Sequence, residues 1–249
     1  MLSANRIKLI QSLANKKYRQ KYNLFIVEGI KNIKEFIYSD FTLSKIYTIE
    51  PIEILSEDKY VIISKKELNK ISFLKNPSNA LAIVEIPKPE LKKIEGKQLV
   101  LESIQDPGNM GTLIRLADWF GIEQIICSED TVDIFNPKVV QASMGSLARV
   151  NVVYTNLEIF FRDNQHLPIY ATDMDGESIY QVELEQEAFL IMGNEGNGIS
   201  DSIKNTCSKT ISIPRFGEKK KTESLNVAMS AGIILGEFFS QKEKNERKN

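Results

Sequence analysis

Three segments of the chain combine hydrogen-bonding side chains with the glycines that close ligand approach requires. They are "DPGNMG" (106–111), "GNEGNGIS" (193–200) and "IPRFGEKKKTESLNVAMSAGI" (213–233), each following an apolar run. Asn109, Asn226 and Ser224 supply amide and hydroxyl groups, and Glu195 supplies a carboxylate that can accept a proton. Gly193, Gly196 and Gly198 let backbone N–H and C=O groups face a ligand directly. The second segment is neither G-x-G-x-x-G nor a phosphate loop, since no lysine follows its last glycine, which argues against a Rossmann dehydrogenase and against an NTPase. Each segment also has a plain reading. The first is a βα turn with Asn109 as helix N-cap. The second is a Gly-Asn loop, in which Glu195 is left unexplained. The third is a core helix capped by Ser224, which leaves Asn226 unexplained. Downstream of Asn109, Leu113, Leu116, Ala117 and Phe120 recur at the spacing of one buried helix face, and Arg115 falls on another. It is either a solvated partner of Asp118, worth about 0.2–0.5 kcal/mol, or a cation held for chemistry.

The elements that must position these residues alternate along the chain. Residues 3–21 read as helical, "NLFIVEG" as a strand and "IKNIKEFIYS" as a helix. "LSKIYTI", "YVIIS" and "ALAIVEI" are β-rich, with "KKELNKIS" helical before the last. Residues 87–97, "PKPELKKIEGK", have the composition of a linker. A second alternation follows: "LVLESI", "EQIICSE", "VNVVYT", "PIYATDM", "AFLIMGN" and "KTISIPR" as strands. Helices are expected over 110–120, stopped by Gly121, over "PKVVQASMGSLAR", and from about Ser224 to the end. This is an α/β pattern: a small domain over 1–95, then a domain over 96–249 with a largely parallel sheet, whose ligands bind where the strands end at their carboxyl edge.

Composition narrows the function. The chain has 249 residues, one histidine (His166) and two cysteines, Cys127 and Cys207, that form no ligand or redox motif. A His-based triad or a multi-His metal site therefore lacks material, and no metal is expected. "MLSANRIKLI" lacks a signal peptide's apolar core, and "LNVAMSAGIILGEFF" is too short and too polar to span a bilayer. A cytoplasmic protein without a membrane partner is expected. The net charge of −1 hides an asymmetry: residues 1–95 carry 17 Lys+Arg against 11 Asp+Glu, and residues 96–249 carry 15 against 22. No acid precedes Glu28, whereas Arg6, Lys8, Lys16, Lys17, Arg19 and Lys21 do, with Tyr18 and Tyr22 among them. Such a run is either a solvated helix face or an RNA contact that combines phosphate neutralisation with base stacking.

"DPGNMGTLIRLADWFG", "GNEGNGIS" and "IPRFG…ESLNVAMSAGI", in this order, resemble the three motifs of the SpoU (TrmH-like) RNA 2′-O-ribose methyltransferases of the SPOUT superfamily, over residues 99–239. "KKYRQKYNLFIVEG" is similar to part of the small α/β RNA-binding domain that precedes the catalytic domain in many members. The resemblance implies a deep trefoil knot, a homodimer with its active site near the subunit interface, and S-adenosylmethionine gripped largely by backbone groups. The matching cofactor positions are Met192, Gly193, Gly196, Gly198, Ile213, Pro214, Ser224 and Leu225. The matching polar active-site positions are Asn109, Arg115, Glu195, Ser224 and Asn226. It further implies methylation of a ribose 2′-hydroxyl, with ribosomal RNA favoured over tRNA by the two-domain layout and a non-catalytic RNA-binding member as the alternative. One departure is the six-residue "EKKKTE" between Gly217 and Ser224, longer than is usual in the family. Its Lys219, Lys220 and Lys221 are either a tolerated surface insertion or an added phosphate contact. The family's arginine is often described as the general base. A guanidinium stays protonated in proteins, so the expectation for Arg115 is to bind phosphate and steady charge on the 2′-oxygen, with the phosphate, a water or Glu195 receiving the proton. Deleting residues 1–95 is expected to abolish RNA methylation and to spare cofactor binding.

Overall fold

The computed structural model describes residues 1–217 and 224–246, with side chains through Gln241. It divides into two compact units, Met1–Lys88 with Asp133–Arg149, and Pro89–Val132 with Val150–Asn249.

In the first unit, residues 3–21 form two helices, α1 (Ala4–Ser12) and α2 (Lys16–Tyr22), where one was expected. The break is local chemistry. Asn15 is extended, and its side chain accepts from Lys17 N at 3.0 Å to start a new helix. Asn23, with φ of 55°, ends it in the left-handed region that asparagine tolerates. The sheet is mixed. Strands β1 (Leu24–Glu28), β2 (Leu43–Thr48), β3 (Tyr60–Ile62) and β4 (Ala80–Glu85) lie in the order β1-β4-β2-β3, and β4 is antiparallel to β1 and β2. Helices α3 (Ile30–Ile37) and α4 (Lys65–Ile71) accompany it, α4 opened by a reciprocal Ser64–Glu67 capping box.

Segment 133–149, from the middle of the sequence, belongs to this unit, and its helix α6 (Pro137–Ser143; α5 is introduced below) packs on β1. Phe135 lies 4.7 Å from Phe25 between ring centroids, and Glu35 pairs with Arg149. Val139, Val140 and Leu147 are buried. Deleting residues 1–95 therefore removes the packing partner of a segment that would remain, so point substitutions test the division of labour better than that deletion.

The second unit holds β5 (Lys97–Leu101), α5 (Pro107–Trp119), β6 (Gln124–Ser128), β7 (Asn151–Thr155), α7 (Leu157–Asp163) and β8 (Ile169–Ser178), followed by β9 (Ala188–Met192), α8 (Asp201–Lys204), β10 (Lys209–Ser212) and α9 (Val227–Glu246). The short helices α7 and α8 had no expectation attached to them. The sheet order is β10-β8-β9-β5-β6-β7, and every adjacent pair is parallel. Strand β5 is buried along its whole length, as is β9, in keeping with central strands covered on both faces. Phe160, Phe161 and Phe189 pack edge-to-face within this core. From β5 the chain steps outward to β6 and β7, whereas β9 lies on the other side of β5. The β5/β9 boundary is thus a switch point, where loops leave the carboxyl edge in opposite directions and a crevice opens.

Candidate functional site

Two of the three segments leave the sheet at that switch point. Asp106, rather than Asn109, is the N-cap of α5: its carboxylate accepts from Asn109 N at 2.8 Å, with Pro107 in the first turn. The helix accordingly starts at Pro107, ahead of the expected residue 110, and Gly121 follows its end with φ of +69°. The Asn109 side chain is free of cap duty and points to other partners.

The loop after β9 is built by Asn194. Its Oδ1 accepts from Gly196 N at 2.9 Å and Asn197 N at 3.0 Å, and its backbone pairs reciprocally with Gly198. Its Nδ2 donates to Ser103 O at 2.8 Å, which ties this loop to the one after β5. A Cβ on Gly193 would sit 2.4 Å from the Gly198 carbonyl carbon, so only glycine permits this turn. At the far end, buried Glu102 accepts from Ser200 N at 3.0 Å and Ser200 Oγ at 2.6 Å. Ser103 itself has φ of 55°, a strained position for a non-glycine residue, held by its N–H donating to Ser128 Oγ at 2.8 Å. Glu102, Ser103 and Asn194 were not singled out in the sequence. The only signal was an acid ending an apolar strand and an asparagine inside the glycine loop.

The third segment reaches the same place. Asn226, not Ser224, is the N-cap of α9: its Oδ1 accepts from Ala228 N at 3.0 Å and Met229 N at 3.2 Å. Two N–H groups at the oxygen fix the amide orientation, so Nδ2 faces outward and donates to Asn109 Oδ1 at 2.8 Å. Asn109 must therefore present its own Nδ2 to Glu195 Oε1, 2.9 Å away. A helix cap thus sets the polarity of a chain, Asn226 to Asn109 to Glu195, with one residue from each segment. Glu195 Oε2 accepts nothing among the described residues and remains available as an acceptor.

Two cavities flank this chain. An open cleft of about 570 Å³ is lined by Gln105–Pro107, Asn109, Glu195 and residues 224–227. A deeper one of about 680 Å³ shares Glu195, Ser224, Leu225 and Val227 with it. All eight expected cofactor positions line the deeper cavity: Met192, Gly193, Gly196, Gly198, Ile213, Pro214, Ser224 and Leu225. Its wall includes the ion pair Asp173–Lys204, in which the hydrogen bond from Lys204 lowers the Asp173 carboxyl below its usual range.

Arg115 lines neither cavity. It is exposed, with no hydrogen-bond or ion-pair partner among the described residues, so the pairing with Asp118 is not formed. Six residues beyond Asn109, it stands about 9 Å along the helix axis on another face.

Of the residues assigned to RNA, Lys16, Lys17 and Lys21 are exposed, and Arg6 donates to Tyr47 Oη at 2.7 Å. Arg19 does not fit that assignment. It is 2% exposed and its guanidinium is held by Asp133, which removes it from any phosphate. Lys219, Lys220 and Lys221 lie outside the described residues.

No described cluster of His, Cys, Asp and Glu could hold a metal ion, and no described helix is long and apolar enough to cross a membrane. Burial raises both thiols, Cys207 to about 11, so neither is a ready nucleophile.

An all-parallel α/β sheet with a glycine-lined cavity and a hydrogen-bonded amide–carboxylate chain at its carboxyl edge places the candidate site where ligands of such sheets bind. Residues 96–236 match the model of the SpoU rRNA Methylase family, and the chain belongs to that family. Residues 4–82 match the MRM3-like substrate binding domain. The chain is 29% identical over 237 residues to the 23S rRNA (guanosine(2553)-2′-O)-methyltransferase RlmP of Bacillus subtilis, covering 92% of this chain and 94% of that one. Among solved structures, a TrmH-family protein from Porphyromonas gingivalis is 34% identical with a TM-score of 0.84, covering 96% of this chain and 98% of that one. The AdoMet-bound rRNA methyltransferase of Sinorhizobium meliloti is 25% identical with a TM-score of 0.85, over 96% and 97% of the two chains.

Proposed function

We propose that this protein is an S-adenosylmethionine-dependent methyltransferase that modifies a ribose 2′-hydroxyl of ribosomal RNA. The observation that carries the reading is the Asn226–Asn109–Glu195 chain, which joins residues 117 and 86 positions apart at the mouth of the glycine-lined cavity. The residues present suit the cofactor. Gly193, Gly196 and Gly198 keep the wall of the cavity free of side chains, and backbone groups of Gly193 and Ile213 and the Gly196 carbonyl are offered to the cofactor's polar atoms, while Met192, Leu225 and Val227 offer apolar surface to its ring. The cavity volume is within the range of small-molecule sites. When bound, the cofactor supplies a methyl group on a sulfonium, so no metal is required to activate the leaving group.

The chain's own task is the nucleophile. A ribose hydroxyl is weak until it loses its proton. Glu195 Oε2 is the acceptor in reach, and the Asn109 amide orients that carboxylate through its other oxygen. Arg115, permanently charged, binds the neighbouring phosphate and steadies charge on the 2′-oxygen. Because Arg115 stands apart from the cavities of its own chain, the site is completed in a homodimer. The exposed Trp119 of α5 and Met229 of α9 support such a pairing. The membership of residues 96–236 in this family supports a knotted chain. Cytoplasmic ribosomal RNA is the setting this activity implies.

The test is mass-spectrometric mapping of ribose methylations lost from rRNA and tRNA when the protein is removed. One missing 2′-O-methyl in rRNA is expected. A loss confined to tRNA shifts the substrate, and no loss together with no calorimetric binding of S-adenosylmethionine makes this a binding-only member. For Arg115, Arg115→Ala should lower methyl transfer by about 10²-fold. If Arg115→Lys restores activity with an apparent pKa set by lysine ionisation, the arginine is a base and the electrostatic role is wrong.

A further inference from the structure

We propose that α2 is a stacking platform for unpaired RNA bases, positioned by a clasp between buried Arg19 and half-buried Asp133. This deepens the RNA-directed reading above and rests on it for the identity of the partner. The seven residues of α2, "KKYRQKY", contain no acid and two tyrosines at i and i+4. Tyr18 and Tyr22 stack on each other, with ring centroids 6.2 Å apart and planes at 14°. Both stay exposed, at 36% and 37%, although a tyrosine ring has ample apolar surface to bury. Lys21 Nζ lies 5.3 Å from the Tyr22 centroid, so cation and ring form one surface.

Arg19 explains why the helix shows this face. Its Nη1 donates to Leu13 O at 2.9 Å and Ala14 O at 2.8 Å, at the end of α1, and its Nε donates to Asp133 Oδ2 at 3.0 Å. That arrangement fixes the rotation of α2. Measured around the helix from Arg19, Tyr18 and Tyr22 lie together on one flank, and Lys17 and Lys21 are about 160° away. Aromatic faces beside lysines suit splayed, unpaired bases with their phosphates. In a duplex the base faces are already stacked and out of reach. Arg19 and Asp133 are positioning residues; the tyrosines and lysines touch the RNA.

The experiment uses the full chain, with fluorescence anisotropy against a single-stranded oligouridylate and an RNA duplex of equal length across a salt series. The parent should favour the single strand. Tyr18→Ala/Tyr22→Ala should weaken single-strand binding about tenfold or more with an unchanged salt slope, and Tyr18→Phe/Tyr22→Phe should bind as the parent does. Lys16→Gln/Lys17→Gln/Lys21→Gln should flatten the slope by about 2. Asp133→Asn should raise KM for rRNA at unchanged kcat. A double-alanine protein that binds oligouridylate like the parent, or a parent that prefers the duplex, overturns the platform. A parent chain that shows these binding effects but methylates no ribose would instead sink the enzymatic reading and leave the platform standing.

Discussion

In the parallel sheet of the second unit, every strand delivers its carboxyl end to the same edge. In the mixed sheet of the first, β4 runs against β1 and β2, so its loops leave from both edges. The first arrangement gathers segments far apart in sequence into one cleft. The second gathers none, and the residues proposed to contact RNA sit on the outside of a short helix. Charge divides the same way. The first unit carries 17 Lys+Arg against 10 Asp+Glu, and the second 15 against 23, a sharper split than the one read at residue 95. Catalysis needs convergence, which parallel strands provide. A grip on RNA needs exposed cations and rings, which a helix surface provides without convergence.

The strongest way to break this contrast is at the convergence itself. Gly193→Ala puts a Cβ 2.4 Å from the Gly198 carbonyl carbon, and backbone has to move. Calorimetry should detect no binding of S-adenosylmethionine. Retained affinity would mean that the glycine loop does not form the cofactor wall. Asn226→Asp is subtler. Aspartate caps a helix about as well as asparagine, so Tm should stay close to that of the parent. The second oxygen then faces Asn109 Oδ1, and if Asn109 flips its amide, the clash passes to Glu195. Single-turnover methyl transfer should fall by about 10²–10³-fold, the usual effect of losing one preorganised polar contact at a reacting centre. A variant that loses stability and keeps its rate would reduce Asn226 to a cap.

The same contrast governs what was legible in the sequence. Strand positions in both units followed from apolar runs, since burial imposes periodicity directly. The three segments were visible because glycine, asparagine and a loop carboxylate in apolar surroundings need a reason. The caps were not. Asn109 and Ser224 are good cap residues by type, yet Asp106 and Asn226 take the role, because a cap depends on where the first turn's N–H groups point. Nor was the fate of Arg19. In sequence it is one cation among several; in the fold it is 2% exposed and held by a residue 114 positions away. Composition cannot tell a cation that faces solvent from one that faces Asp133.

That arginine offers the next largest effect. Asp133→Ala leaves the Arg19 guanidinium buried without its counter-charge and should cost about 3 kcal/mol in urea unfolding. Lys21→Ala, on the exposed face of the same helix, should stay within about 0.5 kcal/mol. If the two cost the same, the clasp is not what holds the first unit's helix in place.

The smallest effect sharpens the comparison from the second unit. Asp173 and Lys204, partly exposed in the wall of the deeper cavity, form the counterpart of the Arg19–Asp133 pair. The Asp173 carboxyl is lowered, first by the hydrogen bond from Lys204, so its stabilisation is present above the ordinary value of 3.8 and fades as pH falls through the folded-state value. Lys204 is raised by the same bond, so its share is present below 10.5 and fades only as pH rises through its higher folded-state value. Neutral pH lies between these limits, where both contributions are present. Solvent screening keeps the total below about 1 kcal/mol. Urea unfolding of Asp173→Asn should therefore differ slightly from the parent at pH 7 and converge with it toward pH 2. A difference that persists at pH 2 would show that packing of the side chain, not its charge, supports this wall.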